Sequence, residues 1–329
     1  MNTTSVHDTL TAYLDGVAMS RSPNTARTYR NAVNAFSASL RDQGRDPEAT
    51  DVRDVSENWI VDFVRHLAPY SPASERLYLT ALTGWYEYLA AERRAEINLP
   101  RLRLLIRRRA RRPGQRLPQF PRQDIEAILE YAKTLKGADD ADERDWLRAL
   151  RDRALLFTLA DTGLRVHEAV GLRRGDIDWN EGRAILIGKG NREAVVRFSS
   201  RTLRYMKDYL DRRSTLDGAS GRPMSALPMS ARHDKGAGRR VLPISTTTAR
   251  SIVHARAREA LGDRQSAVIT PHSFRHYFVT TVLRGSGGNL KLAQELARHK
   301  SIAVTQRYAH LSDNELDRGY HEIFEDDSP

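Results

Sequence analysis

The chain has 329 residues, of which 40% are hydrophobic, enough for about two domains that each bury a core. Lysine and arginine number 53 against 42 acidic residues, so the formal charge is +11. This balance favours a polyanionic partner such as DNA, RNA or an anionic membrane. No stretch approaches the roughly 18 apolar residues of a membrane span, and no signal peptide is recognisable, so we expect a cytoplasmic protein.

The residue types exclude several classes of chemistry. There is no cysteine, which excludes disulfides, thiolate metal sites and cysteine nucleophiles. None of the ten histidines forms an HExxH arrangement, and neither an EF-hand nor a Walker A pattern is present. We therefore expect the protein to need no cofactor and no metal ion.

The first hundred residues have the periodicity of amphipathic helices. Tyr29, Val33 and Phe36 recur at three- and four-residue spacing, and Ser22 can cap a helix that begins at Pro23. The predicted helices cover about residues 5–17, 22–44, 56–68 and 71–94. Residues 1–105 are therefore predicted to form a small all-helical domain.

A strongly basic segment follows. Eight arginines lie among residues 101–116, and three prolines follow between 113 and 121. Because like charges cannot bury one another and proline ends a helix, residues 106–121 are predicted to be an interdomain linker. It is either a solvated spacer or, as we favour, a DNA contact that releases counterions. The candidate phosphate contacts are Arg107, Arg108, Arg109, Arg111 and Arg112.

Residues 122–329 are predicted to form a second, mixed domain. Helices precede Gly163, a candidate helix C-cap, and a short helix starts near Arg165. Residues 184–187 and 193–198 are strand-like and flank a turn with Lys189 at its tip. Residues 214–240 are rich in Gly, Ser and Pro and indicate a loop with at most one short strand. The fold class is therefore mainly α with a small antiparallel β-sheet.

Four short segments of the second domain contain residues suited to chemistry: TGLRVHEAVGL, GKGNRE, HSFRH and HKSIAVTQRYAHL. Each has an ordinary structural interpretation when taken alone. Arg165 can be a surface arginine, Lys189 a solvated turn residue and His272 a capping histidine. Tyr308, which lies on a predicted helix, can be a core tyrosine.

Taken together and in this order, these segments resemble those of the tyrosine recombinases, the phage-integrase and Xer-type family. SPNTARTYRNAVNAF near the start adds a fifth matching segment, so the resemblance spans nearly the whole chain. It implies a helical core-binding (SAM-like) domain over 1–105 and a catalytic domain over 122–329. The family's arrangement is a two-domain, C-shaped clamp on double-stranded DNA.

The resemblance also implies the roles of individual residues. A scissile DNA phosphate would be surrounded by Arg165, Lys189, His272, Arg275 and His299, with Glu168 in the family's acidic position and Tyr308 as the nucleophile. The chemistry is consistent with these residue types. Guanidinium groups match two non-bridging phosphate oxygens, and a lysine on a hairpin tip can protonate the departing 5′ oxygen.

The histidines leave alternatives open. His272 either deprotonates Tyr308, whose hydroxyl has a pKa of about 10 when free, or binds a non-bridging oxygen. Glu168 would hold His272 or an arginine in place. His276 and His310 are expected to be structural, and His167 receives no role. The family commonly has Leu-Gly before the second histidine, where this chain has Ala-Arg at 297–298, so the backbone around His299 is expected to differ.

We therefore expect a site-specific recombinase that forms a 3′-phosphotyrosine and a Holliday junction. The alternatives are a type IB topoisomerase and a catalytically silent DNA-binding regulator.

Residues 312–325 are predicted to form a helix with one apolar face. This face is expected to dock in a neighbouring copy, giving a homotetramer, or alternatively to pack on its own domain. The protein is expected in the cytoplasm with the nucleoid, without a membrane and with unidentified accessory proteins. The early start of the first domain favours a simple Xer-like layout without an arm-binding domain.

Overall fold

The structure is a computed structural model in which residues 4–111, 122–137, 142–188, 192–306 and 308 are described. The chain divides into two compact units, Met1–Arg116 and Leu117–Pro329. The predicted end of the linker at 121 stays a prediction, because residues 112–121 lie outside the described part. No helix among the described residues is both long enough and apolar enough to cross a bilayer.

The described part of the first unit is helical, as predicted. Its α-helices are α1 (Val6–Ser20), α2 (Pro23–Asp42), α3 (Trp59–His66), α4 (Pro72–Ala91) and α5 (Leu99–Arg109). The side chain of Ser22 caps α2 by accepting a hydrogen bond from the backbone N–H of Thr25, which confirms the predicted start. The core between α2, α3 and α4 includes Phe36, whose ring centroid lies 5.3 Å from that of Phe63 and 5.5 Å from that of Trp85.

Helix α5 extends into the segment predicted as a linker. Asn98 caps it, and Leu102 is completely buried in the core of the first unit. Leu105 and Ile106 pack against the same core. The prediction gave too much weight to the arginines and too little to this apolar stripe, which stabilises the helix through tertiary packing.

Arg111, one of the five predicted phosphate contacts, has a different contact in the structure. Its Nε donates to Glu75 at 2.5 Å, and its Nη2 donates to the backbone oxygen of Tyr70 at 2.6 Å. The Glu75 side chain is only 1% exposed, so Arg111 is the counter-ion of a buried carboxylate. Arg107 to Arg109 are exposed on the last turn of α5, and Arg112 lies outside the described residues.

The second unit combines helices with one small sheet. The helices are α6 (Arg122–Thr134), α7 (Glu143–Thr162), α8 (Val166–Gly171), α9 (Ser200–Arg212), α10 (Ser214–Gly218), α11 (Thr246–Leu261), α12 (Asp263–Ser266), α13 (Pro271–Gly285), α14 (Leu290–Ala297) and α15 (Ile302–Gln306). The strands are β1 (Ile177–Asp178), β2 (Arg183–Gly188) and β3 (Arg192–Arg197), antiparallel in the order β1-β2-β3. The predicted hairpin is confirmed, while Lys189 at its tip lies outside the described residues.

Helix α7 lies in the core of the second unit and packs against α6, α9 and α13. It ends at Gly163, which adopts the left-handed conformation with φ 58° and confirms the predicted C-cap. The side chain of Phe278 on α13 lies against Gly163, so a larger residue there would collide with α13. The next residues turn directly into α8, which places Arg165 at the start of that helix.

Residues 214–240 contain more structure than the predicted loop. The segment begins with α10, whose Asp217 accepts a hydrogen bond from the completely buried Arg213 at 2.8 Å. Arg213 also donates to the hydroxyl of Tyr209 and to the backbone oxygen of Pro228. This buried polar network orders the segment without a strand ladder, and composition alone did not indicate it.

Candidate active site

Tyr308 lies two residues after the end of α15 and against α13. Its N–H donates to the backbone oxygen of Thr305 at 2.9 Å. Its ring packs against the small core that α13 and α14 form around Val279 and Ala297. Its hydroxyl is hydrogen-bonded to Nδ1 of His276. The tyrosine is therefore held by packing on one side and by a specific polar contact on the other.

The residue in contact with the tyrosine hydroxyl is His276, which we expected to be structural, whereas His272 was the predicted partner. His272 and His276 are one helical turn apart on α13, so they lie on the same face. Their ring centroids are 4.3 Å apart, and that of His276 is 5.1 Å from that of Tyr308. The three rings therefore form a row in which His276 lies between His272 and Tyr308. The i, i+4 spacing of the two histidines was the signal in the sequence that could have indicated this arrangement.

Both histidines of α13 favour the neutral form. Burial, followed by the charges of Arg275 and Arg165, lowers the pKa of His272. Burial, then His272 and Arg275, lowers the pKa of His276 to about 4. At neutral pH, His276 can therefore act as a hydrogen-bond acceptor for the hydroxyl of Tyr308.

Arg275 connects the ends of two helices. Its side chain is buried, and its two terminal nitrogens donate to the backbone oxygens of Gly163 and Ala297. These carbonyls lie at the C-terminal ends of α7 and α14, where the helix has no N–H partner for them. Burial and the charges of Arg165 and Arg298 lower the pKa of Arg275 to about 10. Arg275 thus holds the site together and also adds to its positive potential.

Glu168 lies between two arginines. One carboxylate oxygen accepts from the guanidinium of Arg165 at 3.1 Å, and the other accepts from Arg298 at 3.1 Å. The backbone N–H of Arg165 also donates to Glu168, at 2.8 Å, which caps α8. Burial opposes ionisation, but these charges and hydrogen bonds outweigh it, so the pKa of Glu168 is lowered. Of the two predicted partners, His272 or an arginine, the structure shows arginine.

His299 follows the left-handed residue Arg298 and faces the same cluster. Its Nδ1 is 2.8 Å from the hydroxyl oxygen of Thr305, which fixes the orientation of the ring. The ring centroids of His299 and Tyr308 are 6.5 Å apart. Burial, followed by Arg275 and Arg165, lowers the pKa of His299 to about 4.

The structure therefore brings together most of the predicted residues. The group comprises Arg165, Glu168, His272, Arg275, His299 and Tyr308. It also includes His276, which was expected to be structural, and Arg298, for which no role was predicted. With neutral histidines, the cluster contains three guanidinium groups, of Arg165, Arg275 and Arg298, and a single carboxylate, that of Glu168. The arrangement is suited to bind an anion and to stabilise additional negative charge on it. The described residues include no group of three or more His, Asp or Glu side chains placed to bind a metal ion.

The lowered histidine pKa values predict how stability depends on pH. Since the folded-state pKa of His276 is about 4 and its ordinary value is 6.5, the unfolded chain binds more protons between these values. The free energy of unfolding should therefore fall as the pH is lowered from 6.5 towards 4. Urea denaturation at pH 7, 6 and 5 would measure this, and His276→Gln should flatten the dependence. His254→Gln, at an exposed position on α11, is the matched control. An unchanged pH dependence in His276→Gln would contradict the assignment.

The chain is similar in sequence to known proteins. The sequence profile of the Phage integrase family matches residues 119–315, and that of the Phage integrase N-terminal SAM-like domain matches residues 10–93. The tyrosine recombinase XerD of Mycobacterium tuberculosis is 31% identical over 310 residues, which are 91% of each chain. XerD of Pseudomonas aeruginosa is 28% identical over 320 residues, 93% of each chain.

Two solved structures share the fold. The XerH site-specific recombinase bound to a palindromic difH substrate superimposes with a TM-score of 0.66 at 18% identity, covering 92% of this chain and 80% of that one. A lambda integrase(75-356) dimer bound to a core site gives a TM-score of 0.62 at 18% identity, covering 93% and 96%. At these identities, the similarity concerns the fold, and the predicted fold class is confirmed.

Proposed function

The chain belongs to the phage integrase family, the tyrosine recombinases, and we propose that Tyr308 cleaves DNA by forming a bond to its 3′ phosphate. The protein is a site-specific DNA recombinase. The observation that carries the mechanism is the contact between the hydroxyl of Tyr308 and His276, next to three arginines. The full-length similarity to XerD favours recombination over DNA relaxation and over a silent regulator.

The proposed cleavage is an in-line displacement at phosphorus. The oxygen of Tyr308 attacks, its proton passes to His276, and the 5′ oxygen leaves as a hydroxyl group. Arg165 and Arg275 stabilise the charge on the non-bridging oxygens, since a transition state with more negative charge gains most from fixed positive groups. His272 and His299 would bind the same oxygens, and Lys189 would protonate the leaving oxygen.

Rejoining is the reverse reaction with a different 5′ hydroxyl. Because the phosphotyrosine retains the energy of the broken bond, the proposed reaction needs no ATP. The arginines supply the charge that a metal ion supplies in other phosphoryl-transfer enzymes, so it also needs no divalent cation. Two such exchanges, one per strand pair, would pass through a Holliday junction.

The test of this function is the capture of the covalent intermediate. A binding sequence would first be selected from a pool of random duplexes, and the selected site would then carry a nick just 3′ of the cleavage point. The short fragment diffuses away after cleavage, so the protein should remain attached to the labelled strand through its 3′ end. Addition of EDTA should leave the yield unchanged. Absence of a covalent product, or attachment to a 5′ end, would contradict the proposal.

We extend the proposal to DNA binding by the end of α5. DNA affinity should fall as the salt concentration rises. If Arg107, Arg108 and Arg109 contact phosphates, each replacement by Gln should make the plot of log affinity against log salt less steep by about 0.9. Arg111→Gln should leave that slope unchanged and should instead lower the free energy of unfolding by about 2 kcal/mol, because it removes the partner of buried Glu75. Salt titrations and urea denaturation would separate the two outcomes. An unchanged slope for the α5 variants would indicate a solvated segment.

Assembly is part of the same proposal. Strand exchange between two sites requires several protomers, and we infer a tetramer in which residues 312–325, outside the described part, contact a neighbouring copy. The exposed apolar side chains of Leu292, Ile302 and Val304 on α14 and α15 support a protein contact beside the site. Such a recombinase would work on DNA in the cytoplasm, with the nucleoid.

A further inference from the structure

Arg298 adopts a backbone conformation that is unfavourable for its residue type. It ends α14 with φ 56° and ψ 45°, in the left-handed region. Among the described residues other than glycine, Arg93 and Arg298 have a positive φ. A side chain crowds the backbone in this region, whereas glycine adopts it without strain. The position is therefore one at which glycine would be more stable.

The side chain of Arg298 adds a second unfavourable feature. It is only 12% exposed, and its Nε and Nη1 are buried without a hydrogen-bond partner among the described residues. Burial together with the charge of Arg165 outweighs the attraction of Glu168 and lowers the pKa of Arg298. Because the backbone is strained and two buried donors are unsatisfied, stability does not explain the presence of an arginine at this position. Such combinations are typical of functional sites.

The contact that Arg298 does make is directed at the catalytic cluster. Its Nη2 donates to Oε2 of Glu168 at 3.1 Å, the same oxygen that accepts the backbone N–H of Arg165 at 2.8 Å. The other oxygen, Oε1, accepts from the guanidinium of Arg165 at 3.1 Å. The carboxylate is therefore fixed from two sides, and its charge is shared between two arginines. Without Arg298, the carboxylate would keep only its two hydrogen bonds to Arg165, and its charge would be directed at Arg165 alone.

We propose that Arg298 is a positioning residue that holds Glu168 and thereby presents Arg165 to the scissile phosphate. This inference rests on the proposed function, because it assumes that Arg165 contacts the phosphate. It assigns to the residue before His299 a role that a glycine could not perform. It also explains why an arginine, and not a glycine, occupies this left-handed position at the end of α14.

The test compares two matched replacements, Arg298→Gly and Arg93→Gly, which both relieve a left-handed arginine at the end of a helix. Both variants should fold and be at least as stable as the parent. Only Arg298→Gly should cleave the nicked substrate more slowly at saturating DNA, by about 10- to 100-fold, the size of loss that follows replacement of residues that orient the ligands of a metal ion. Its affinity for the binding site should change by less than about threefold.

A double-mutant comparison tests the route through Glu168. In the Glu168→Gln background, adding Arg298→Gly should reduce the rate by less than about threefold, because the group that Arg298 positions has already been changed. Arg298→Lys, which keeps a charge near the carboxylate, should recover part of the loss.

Three outcomes would overturn the inference. Cleavage by Arg298→Gly at the parent rate would do so, and so would a loss of the same factor in the Glu168→Gln background. A lowered melting temperature together with a proportionate loss of folded protein would show a structural role instead. The proposed function is tested separately, by measuring on the same gel whether the parent protein forms the covalent complex. If the parent forms no covalent complex, both proposals fail, whereas normal cleavage by the parent and by Arg298→Gly overturns this one alone.

Discussion

Replacement of Tyr308 by phenylalanine should abolish covalent attachment to the nicked substrate, with a loss of at least about 10⁴-fold in cleavage rate. Phenylalanine keeps the ring that packs between α13 and α14 and removes only the hydroxyl that contacts His276. Folding and DNA binding should therefore be retained. The measurement is the amount of covalent complex on a denaturing gel, next to the affinity for the uncleaved site.

Tyr131→Phe is the control for the loss of a tyrosine hydroxyl elsewhere in the catalytic unit. The hydroxyl of Tyr131 on α6 donates to Glu259 at 2.8 Å, outside the site. This variant should cleave at the parent rate. Covalent complex at the parent level in Tyr308→Phe would show that another residue is the nucleophile.

Replacement of Arg275 by alanine should reduce the cleavage rate by at least about 10³-fold, because removing one donor to the transition state costs roughly 3 to 4 kcal/mol. The structure predicts an additional loss of stability. The variant leaves the backbone oxygens of Gly163 and Ala297 without the guanidinium that now binds them. This should lower the free energy of unfolding by about 2 kcal/mol.

Arg165→Ala separates these two effects. Its side chain is 43% exposed and contacts Glu168 near the surface, so its loss should affect stability by less than about 1 kcal/mol. The cleavage rate should still fall by about 10³-fold, if both arginines stabilise the transition state. Single-turnover cleavage and urea denaturation of the two variants provide the comparison. Equal stability losses would contradict the tethering role of Arg275, and a near-normal rate in either variant would remove that arginine from catalysis.

The features that sequence analysis predicted well are those specified by neighbouring residues. The cap at Ser22, the left-handed Gly163 and the β2–β3 hairpin each depend on side chains within a few positions. The order of the site segments was also informative, because the family resemblance connects residues that are far apart in the chain. Local chemistry and segment order together were therefore sufficient to predict the fold class and to indicate most of the residues that lie together in the cluster.

The features that it missed depend on tertiary contacts. The i, i+4 spacing places His272 and His276 on one face of α13, but it does not indicate which of the two contacts Tyr308, a residue at least 32 positions away. The partner of Arg111 is Glu75, which lies 36 positions earlier and on a different helix. Arg298 was noted only as a departure from Leu-Gly, since its contact with Glu168 spans 130 positions. A sequence pattern indicates residue types but not which of several similar side chains will meet.

The hydrogen bond between Tyr308 and His276 joins two residues of the same chain. This predicts whether two inactive variants can restore cleavage when they are mixed. Suppose that chains carrying Tyr308→Phe are mixed with chains carrying Arg275→Ala. Every catalytic group is then present in the mixture, but no single protomer holds both the nucleophile and its arginine. If each protomer completes its own site, the mixture should remain as inactive in cleavage as the two variants alone. The smallest catalytic unit of this recombinase would then be one polypeptide, and assembly would control when it acts rather than what it contains.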